Sequence, residues 1–183
     1  ILFSVKDRIG ILRLNRPDVL NAIDQETYRA LSRLLDRIEK NRNVRVLVVG
    51  GRGRGFCAGT DIADLRGASR GEAEEIAWLE NRTLDKLEAL PQPSIAAVHG
   101  YALGGGCELA MACDLRIAAE DAIFGQPEVG MGWIPAAGAT FRMPRLIGSA
   151  RAKELIFSAE RIDAVEAERI GLVNRVVPTK DLM

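Results

Sequence analysis

SIAAVHGYALGGGCELAMA, residues 94–112, joins a strand-like run to a short apolar helix through a glycine-rich turn. An earlier stretch, VLVVGGRGRGFCAGTDIADL at residues 46–65, repeats the same plan. Glycine has no side chain to block approach, so each turn can expose backbone N–H groups to a ligand. Turns that follow neighbouring parallel strands lie at the same end of the sheet, where ligands bind in open α/β folds. The repeat therefore predicts two converging N–H groups that form an oxyanion hole.

Strands and helices alternate along the rest of the chain. The predicted strands are two short runs within 1–14 and the segments 44–50, 93–98, 114–119 and 171–177. The predicted long helices cover about 25–40, after an N-cap at Asp24, and about 70–90, after an N-cap at Ser69. This alternation predicts an α/β fold with a largely parallel sheet and flanking helices. No linker interrupts residues 1–183, so we expect a single domain.

Composition narrows the classes of function. The 183 residues are 48% hydrophobic, and 25 Lys and Arg balance 25 Asp and Glu. A net charge of zero argues against a protein built mainly to bind nucleic acid. The sequence contains neither an apolar run of membrane-spanning length nor a signal-peptide pattern, and its odd count of three cysteines suits a reducing compartment. We therefore expect a cytoplasmic location, no membrane partner, and, with a single histidine, no metal site.

Two isolated carboxylates occur in apolar surroundings. Glu108 lies in the helix that follows the second glycine turn, where residues 107–113 are otherwise apolar. Glu128 lies in the loop FGQPEVGMGWIP, residues 124–135. Each has an ordinary explanation: Glu108 could complement a helix dipole, and Glu128 could be a surface loop residue. Two carboxylates that follow successive strands are also what general acid–base chemistry on one small substrate requires.

Other interpretations of the glycine turns and of the single histidine are weaker. Neither turn has the G-x-G-x-x-G pattern of dinucleotide sites or the G-K-[ST] ending of a phosphate-binding loop. The glycines could serve only tight turns and close packing. A Ser–His–Asp hydrolase would have to use His99, which falls between a strand and a turn and is better explained by a structural role.

Three segments resemble the crotonase superfamily, and enoyl-CoA hydratases and isomerases in particular. They are GRGRGFCAGTDIADL (51–65), GYALGGGCELAMACDLRIAAEDAIFGQPE (100–128) and GWIPAAGATFRMPRLIGSARAKELIFSAERIDAVEAERIGLVNRVV (132–177). The resemblance implies a crotonase-type ββα spiral, assembled as a homotrimer or homohexamer. It also implies hydration of trans-2-enoyl-CoA thioesters to 3-hydroxyacyl-CoA. No prosthetic group is implied, because coenzyme A enters as part of the substrate.

The resemblance also implies roles for individual residues. The N–H groups of Thr60 and Gly105 would hold the thioester carbonyl oxygen, although the family often has alanine at the position of Thr60. Glu108 and Glu128 match the two catalytic glutamates of hydratases. The implied substrate and CoA positions are Ala58, Asp61, Ile62, Gly104 and Trp133.

The resemblance leaves alternatives open. Within the superfamily, the chain could be an enoyl-CoA isomerase or carry out other acyl-CoA chemistry. From another class, it could be a non-catalytic acyl-CoA-binding or RNA-binding homologue. The chain ends at Met183, near where the family's C-terminal helical region begins, so we expect that region to be missing.

Overall fold

The computed structural model describes residues 1–183 as two β-sheets with seven α-helices around them. The strands are β1 (Leu2–Lys6), β2 (Ile9–Leu14), β3 (Val46–Gly51), β4 (Ser94–Val98), β5 (Tyr101–Leu103), β6 (Leu115–Ala119), β7 (Ile123–Gly125), β8 (Arg161–Asp163) and β9 (Arg175–Val177). The α-helices are α1 (Gln25–Glu39), α2 (Ile62–Leu65), α3 (Arg70–Glu88), α4 (Gly105–Met111), α5 (Ala139–Ile147), α6 (Ser149–Ser158) and α7 (Ala164–Arg169). None of these helices has both the length and the apolar character needed to cross a membrane.

The larger sheet has the strand order β1-β2-β3-β4-β6-β9. Only β1 and β2 are antiparallel, and the turn between them places Asp7 and Arg8 at positive φ. The other neighbours are parallel, including β3 and β4, which pair in the register Leu47–Ser94. The predicted largely parallel sheet is confirmed. The two glycine-rich turns therefore do follow neighbouring parallel strands.

The predicted helices α1 and α3 pack against each other, and both begin at the predicted caps. Asp24 accepts a hydrogen bond from the Thr27 amide at 2.8 Å. Ser69 and Glu72 form a reciprocal capping box at the start of α3. The buried face of α1 consists of Tyr28, Leu31, Leu34, Leu35 and Ile38. These residues belong to one hydrophobic core of 37 buried side chains that extends from strand β2 to the segment before β9.

The smaller sheet was not predicted. Its order is β5-β7-β8, with three residues in each strand, which is too short to show the alternating pattern of a longer strand. Strand β5 lies between β4 and α4, so the second glycine turn is itself divided by a strand. Cys57 of the first turn bridges to this strand: its amide donates to Tyr101 O at 2.8 Å, and its carbonyl accepts from the Leu103 amide at 3.1 Å. This bridge holds the two turns together.

Two predicted strand boundaries were wrong. The strand predicted over 44–50 runs from Val46 to Gly51, so it begins two residues later and ends one residue later than predicted. The segment 171–177 is a strand only over its last three residues, 175–177. Gly171 has a φ of +83°, and the amides of Leu172 and Val173 both donate to Ala167 O. These residues therefore complete the turn that ends α7, although their apolar character suggests a strand.

Candidate active site

A cleft of about 390 Å³ opens where the two glycine turns meet α3 and the loop after β7. Eight of the nine predicted site residues line it: Ala58, Thr60, Ile62, Gly104, Gly105, Glu108, Glu128 and Trp133. The ninth, Asp61, does not. Its carboxylate accepts from the Arg16 guanidinium at 2.9 Å and caps α2 through the Ala63 amide. Asp61 therefore supports the turn from outside the cleft.

The amides of Thr60 and Gly105 lie next to each other on the floor of the cleft. Gly59 O and Asp61 N form hydrogen bonds with Ile23, so the N–H of Thr60, between them, points to the opposite side of this segment. Gly105 is the first residue of α4, where backbone N–H groups have no acceptor inside the helix. A Cβ built on Gly105 would lie 3.2 Å from Thr60 N. The two N–H groups are thus close enough to serve one ligand atom.

Two glycines of the GGG run are required for different reasons. Gly104 has φ 50° and ψ −124°, a conformation that side-chain-bearing residues rarely adopt. A Cβ there would also lie 2.7 Å from Glu128 Oε1. Gly106 packs against Cys57, and a Cβ on it would overlap the Cys57 carbonyl. The run therefore lets α4 begin directly beside the first turn and beside Glu128.

Glu108 is buried in the cleft wall and held by main-chain donors. Its side chain is 2% exposed, and its Oε1 accepts hydrogen bonds from the amides of Ala137 at 2.9 Å and Ala139 at 2.8 Å. Burial raises the pKa of this carboxyl to about 8, and repulsion from Glu128 and Glu80 adds to the increase. A carboxyl with this pKa can hold or release a proton near neutral pH.

Glu128 is held more loosely than Glu108. It is half-buried at the start of a 3-10 turn, Glu128–Met131, and burial raises its pKa above the usual value. The buried Gln126, with its amide nitrogen turned toward Glu128, donates to both carboxylate oxygens at 3.1 Å. The hydrogen bonds to Glu108 and Glu128 favour their ionised forms, but burial outweighs them and raises the pKa of both carboxyls.

A third carboxyl, Glu80 of α3, also lines the cleft, and the sequence analysis missed it. Glu80 is 4% exposed, and its Oε1 accepts a hydrogen bond from Thr60 Oγ1 at 2.7 Å. Burial raises its pKa to about 7, with a smaller contribution from Glu128. The available signal was spacing: Glu80 lies four residues from each of Ile76 and Leu84, so it falls on the apolar stripe of the helix.

Arg142 of α5 supports the loop that holds Glu108, and it too was missed. This buried guanidinium donates to Ala137 O at 2.9 Å and pairs with Asp85 and Glu88 of α3 at 2.7 Å. A buried arginine requires such partners, because an unpaired charge would be costly to desolvate. Arg142 therefore links α3 to the backbone that orients Glu108.

The remaining nucleophilic and metal-binding side chains do not form a second site. His99 lies outside the cleft, with Nε2 3.0 Å from Gly53 O. Burial raises the pKa values of Cys57 and Cys107 to about 12, so both remain neutral thiols. No three His, Cys, Asp or Glu side chains are grouped so that they could hold a metal ion.

Comparisons with known proteins agree with this geometry. The family model described as enoyl-CoA hydratase/isomerase matches residues 4–183. The short-chain-enoyl-CoA hydratase of Clostridium acetobutylicum is 43% identical over 100% of this chain and 70% of its own length. The crotonyl-CoA hydratase of Syntrophomonas wolfei is 44% identical over 100% of this chain and 71% of its own length.

A solved structure shares the fold. The crystal structure of an enoyl-CoA hydratase from Bacillus anthracis superimposes with a TM-score of 0.94 at 42% sequence identity, covering 98% of this chain and 71% of that one. This likeness confirms the predicted crotonase-type α/β fold. Together, the match to the family model and the extent of the identities show that the chain belongs to the enoyl-CoA hydratase/isomerase family of the crotonase superfamily.

Proposed function

We propose that this protein is an enoyl-CoA hydratase that adds water across the double bond of a trans-2-enoyl-CoA thioester. The observation that carries the proposal is the combination of two carboxyls, Glu108 and Glu128, with the paired backbone amides of Thr60 and Gly105 in one cleft. Membership of the family and the hydratase names of similar proteins add support.

The amides act on the thioester carbonyl. Negative charge develops on its oxygen when water adds at C3, and the N–H groups of Thr60 and Gly105 donate to that oxygen. Because both amides belong to fixed backbone, they stabilise the developing charge without reorganising. Their hydrogen bonds strengthen as the charge grows, so they lower the barrier more than they stabilise bound substrate.

The two glutamates divide the proton transfers. Glu108 accepts a proton from the attacking water as the water oxygen bonds to C3, and Glu128 donates a proton to C2 as the double bond is lost. The product has gained one water, and the two carboxyls have exchanged their protonation states. The raised pKa values of both carboxyls support a proton that the pair keeps near neutral pH, and the scheme requires that this proton lies on Glu128 when the water attacks.

The substrate enters as a coenzyme A thioester, with no prosthetic group. Ala58 and Ile62 border the CoA portion, Gly104 gives the thioester access to the amides, and Trp133 borders the acyl portion. Asp61 contributes indirectly, because its ion pair with Arg16 fixes the turn that carries Thr60.

Assembly and location follow as further parts of the proposal. We expect a homotrimer or homohexamer. The exposed apolar side chains Phe157 and Val165 are candidates for burial between copies of the chain. Three free buried cysteines suit a reducing, cytoplasmic location. Light scattering on purified protein measures the mass, and a monomer at micromolar concentration would contradict the assembly.

The decisive experiment is loss of the conjugated enoyl absorbance on mixing with crotonyl-CoA, with Glu128→Gln as the paired variant. We expect rapid loss with the parent and a rate at least about 100-fold lower with the variant, in line with removal of a general acid. Conversion of 3-enoyl-CoA to 2-enoyl-CoA without hydration would show an isomerase instead. Full activity in a folded Glu128→Gln variant would contradict the role of Glu128.

A further inference from the structure

Glu80 lies in the buried part of the cleft, beside Thr60. The side chains at the mouth are far more exposed, with Ile62 at 46% and Ile134 at 75%, whereas Glu80 is 4% exposed. The CoA portion is too large for this buried part and must extend through the mouth. Because the Glu80 carboxyl contacts Thr60, an acyl group whose carbonyl oxygen binds at Thr60 and Gly105 lies within reach of Glu80.

Only one of the two carboxyl oxygens of Glu80 accepts a hydrogen bond from the protein. Thr60 Oγ1 donates to Oε1 at 2.7 Å, and the Tyr28 hydroxyl, 3.4 Å from the same Thr60 oxygen, completes the chain of hydrogen bonds. Oε2 accepts no hydrogen bond from the protein. Gln92 Oε1 is the only side-chain polar atom that is both fully buried and without a hydrogen-bond partner. Glu80 Oε2 also has no partner, so it is not fully buried and contacts the open space of the cleft.

The wall around Glu80 is otherwise apolar. Its neighbours on that wall include Ala73, Ile76 and Ala77 of α3 and Leu65 of α2. No Lys, Arg or His lines the cleft, so no cation is available there to bind an anionic tail. A single polar atom within an apolar wall is a means of selecting substrates, because covering it without a hydrogen-bond partner is costly.

We propose that Glu80 determines acyl specificity: its Oε2 disfavours apolar tails long enough to cover it, and accepts tails that are short or that carry a hydroxyl or amide. This inference rests on the proposed function. A short tail leaves room for a water molecule on Oε2, and a hydroxyl or amide replaces that water with its own hydrogen bond. A long alkyl tail displaces the water and supplies no hydrogen bond to Oε2.

The test compares kcat/KM for crotonyl-CoA and trans-2-decenoyl-CoA in the parent, Glu80→Leu and Glu80→Gln. Leucine removes the polar atoms, so we expect the decenoyl-to-crotonyl ratio to rise by about tenfold to a hundredfold. Glutamine still accepts from Thr60 and keeps a polar atom toward the tail, so its ratio should stay within about threefold of the parent's. Glu75→Leu makes the same change on the exposed face of α3 and controls for added hydrophobicity.

Each outcome has a distinct meaning. If Glu80→Leu lowers both substrates equally, Glu80 acts only by positioning Thr60 and the specificity proposal is overturned. An unchanged ratio in a folded variant overturns it as well. Calorimetric binding of butyryl-CoA and decanoyl-CoA to the same proteins gives a second ratio that needs no turnover. If the parent hydrates neither enoyl-CoA, the proposed function fails, while the binding ratio still tests Glu80.

Discussion

The two walls of the cleft are built in different ways. The main-chain wall, residues 58–60 and 104–108, presents backbone N–H groups and one deeply buried carboxyl. The helical wall, residues 62–80, presents side chains of α2, of α3 and of Ala68 between them. On the first wall, a Cβ added at Gly104, Gly105 or Gly106 would contact atoms of the neighbouring turn or of Glu128 at less than 3.0 Å. On the second, Gly71 has nothing within 4 Å.

This contrast indicates that the two walls have different functions. The main-chain wall has little freedom to change, which suits chemistry that depends on fixed donors and a controlled proton. The helical wall can change one side chain at a time without disturbing the backbone, which suits selection among acyl groups. Substitutions on the first wall should therefore affect kcat and stability, and those on the second should affect the choice of substrate.

The largest expected effect is on the main-chain wall. Glu108→Gln keeps an oxygen that can accept from the amides of Ala137 and Ala139, but it can no longer exchange a proton. We expect kcat for crotonyl-CoA to fall by about 10²–10⁴-fold in a variant that circular dichroism shows to be folded. Glu75→Gln, the same change on the exposed face of α3, should leave kcat unaltered. A Glu108→Gln enzyme that keeps more than about a tenth of the parent kcat would contradict the catalytic role assigned to the main-chain wall.

Sequence alone predicted the main-chain wall better than the helical wall. The two strand–glycine–helix repeats predicted converging amides, and the carboxylate in an apolar helix singled out Glu108, whereas Thr60 and Gly105 were named only through the resemblance to the crotonase superfamily. Glu80 was missed because α3 carries several other acidic residues, and only its spacing from Ile76 and Leu84 distinguishes it.

Contacts between distant segments account for what else was missed. The amides that hold Glu108 come from residues 29 and 31 positions later in the chain, and no local pattern announces them. Arg142 pairs with carboxylates 54 and 57 positions away. The three-residue strands of the small sheet exist only because they pair with one another. In each case tertiary packing, and not local propensity, decides the outcome.

The second prediction concerns stability and pH. The pKa of Glu108 in the folded protein is about 8, against an ordinary value of 4.5, so the folded state binds more protons than the unfolded state between these values. The free energy of unfolding should therefore fall as pH rises from about 5 to 8, by at most about 1.4 kcal/mol per pH unit for this group. Glu80 contributes in the same direction up to about pH 7.

Urea unfolding at several pH values measures this dependence. Glu108→Gln should flatten the slope, since the amide does not titrate, whereas Glu75→Gln should leave the slope as it is in the parent. If unfolding free energy changes with pH equally in the parent and in Glu108→Gln, ionisation of the buried carboxyl is not coupled to folding. That result would contradict the proposed difference between the two walls.

The third prediction compares glycines on the two walls. Gly106→Ala forces a methyl group against Cys57, 2.8 Å from both its carbonyl carbon and its Cβ, so we expect a loss of about 1–3 kcal/mol of unfolding free energy. Gly71→Ala adds the same methyl group to an open position in the first turn of α3. It should gain up to about 1 kcal/mol, because alanine favours helix more than glycine does. The urea midpoints of the two variants measure the expected loss and the expected gain in unfolding free energy. Equal changes in the two variants would show that the main-chain wall is no more tightly packed than α3.

The smallest expected effect tests whether the helical wall is separable from the chemistry. Ser69→Ala removes the capping box of α3 and should cost about 1 kcal/mol of unfolding free energy. About two helical turns separate the cap from Ile76 and about three separate it from Glu80. Because α3 is fixed there by its packing on α1, fraying at the cap should reach only Ala68 and Ala73 at the edge of the cleft. We therefore expect kcat for crotonyl-CoA to stay within about twofold of the parent's. A fall comparable to that of Glu108→Gln would show that α3 transmits strain to the amides of Thr60 and Gly105. The two walls would then not be separable.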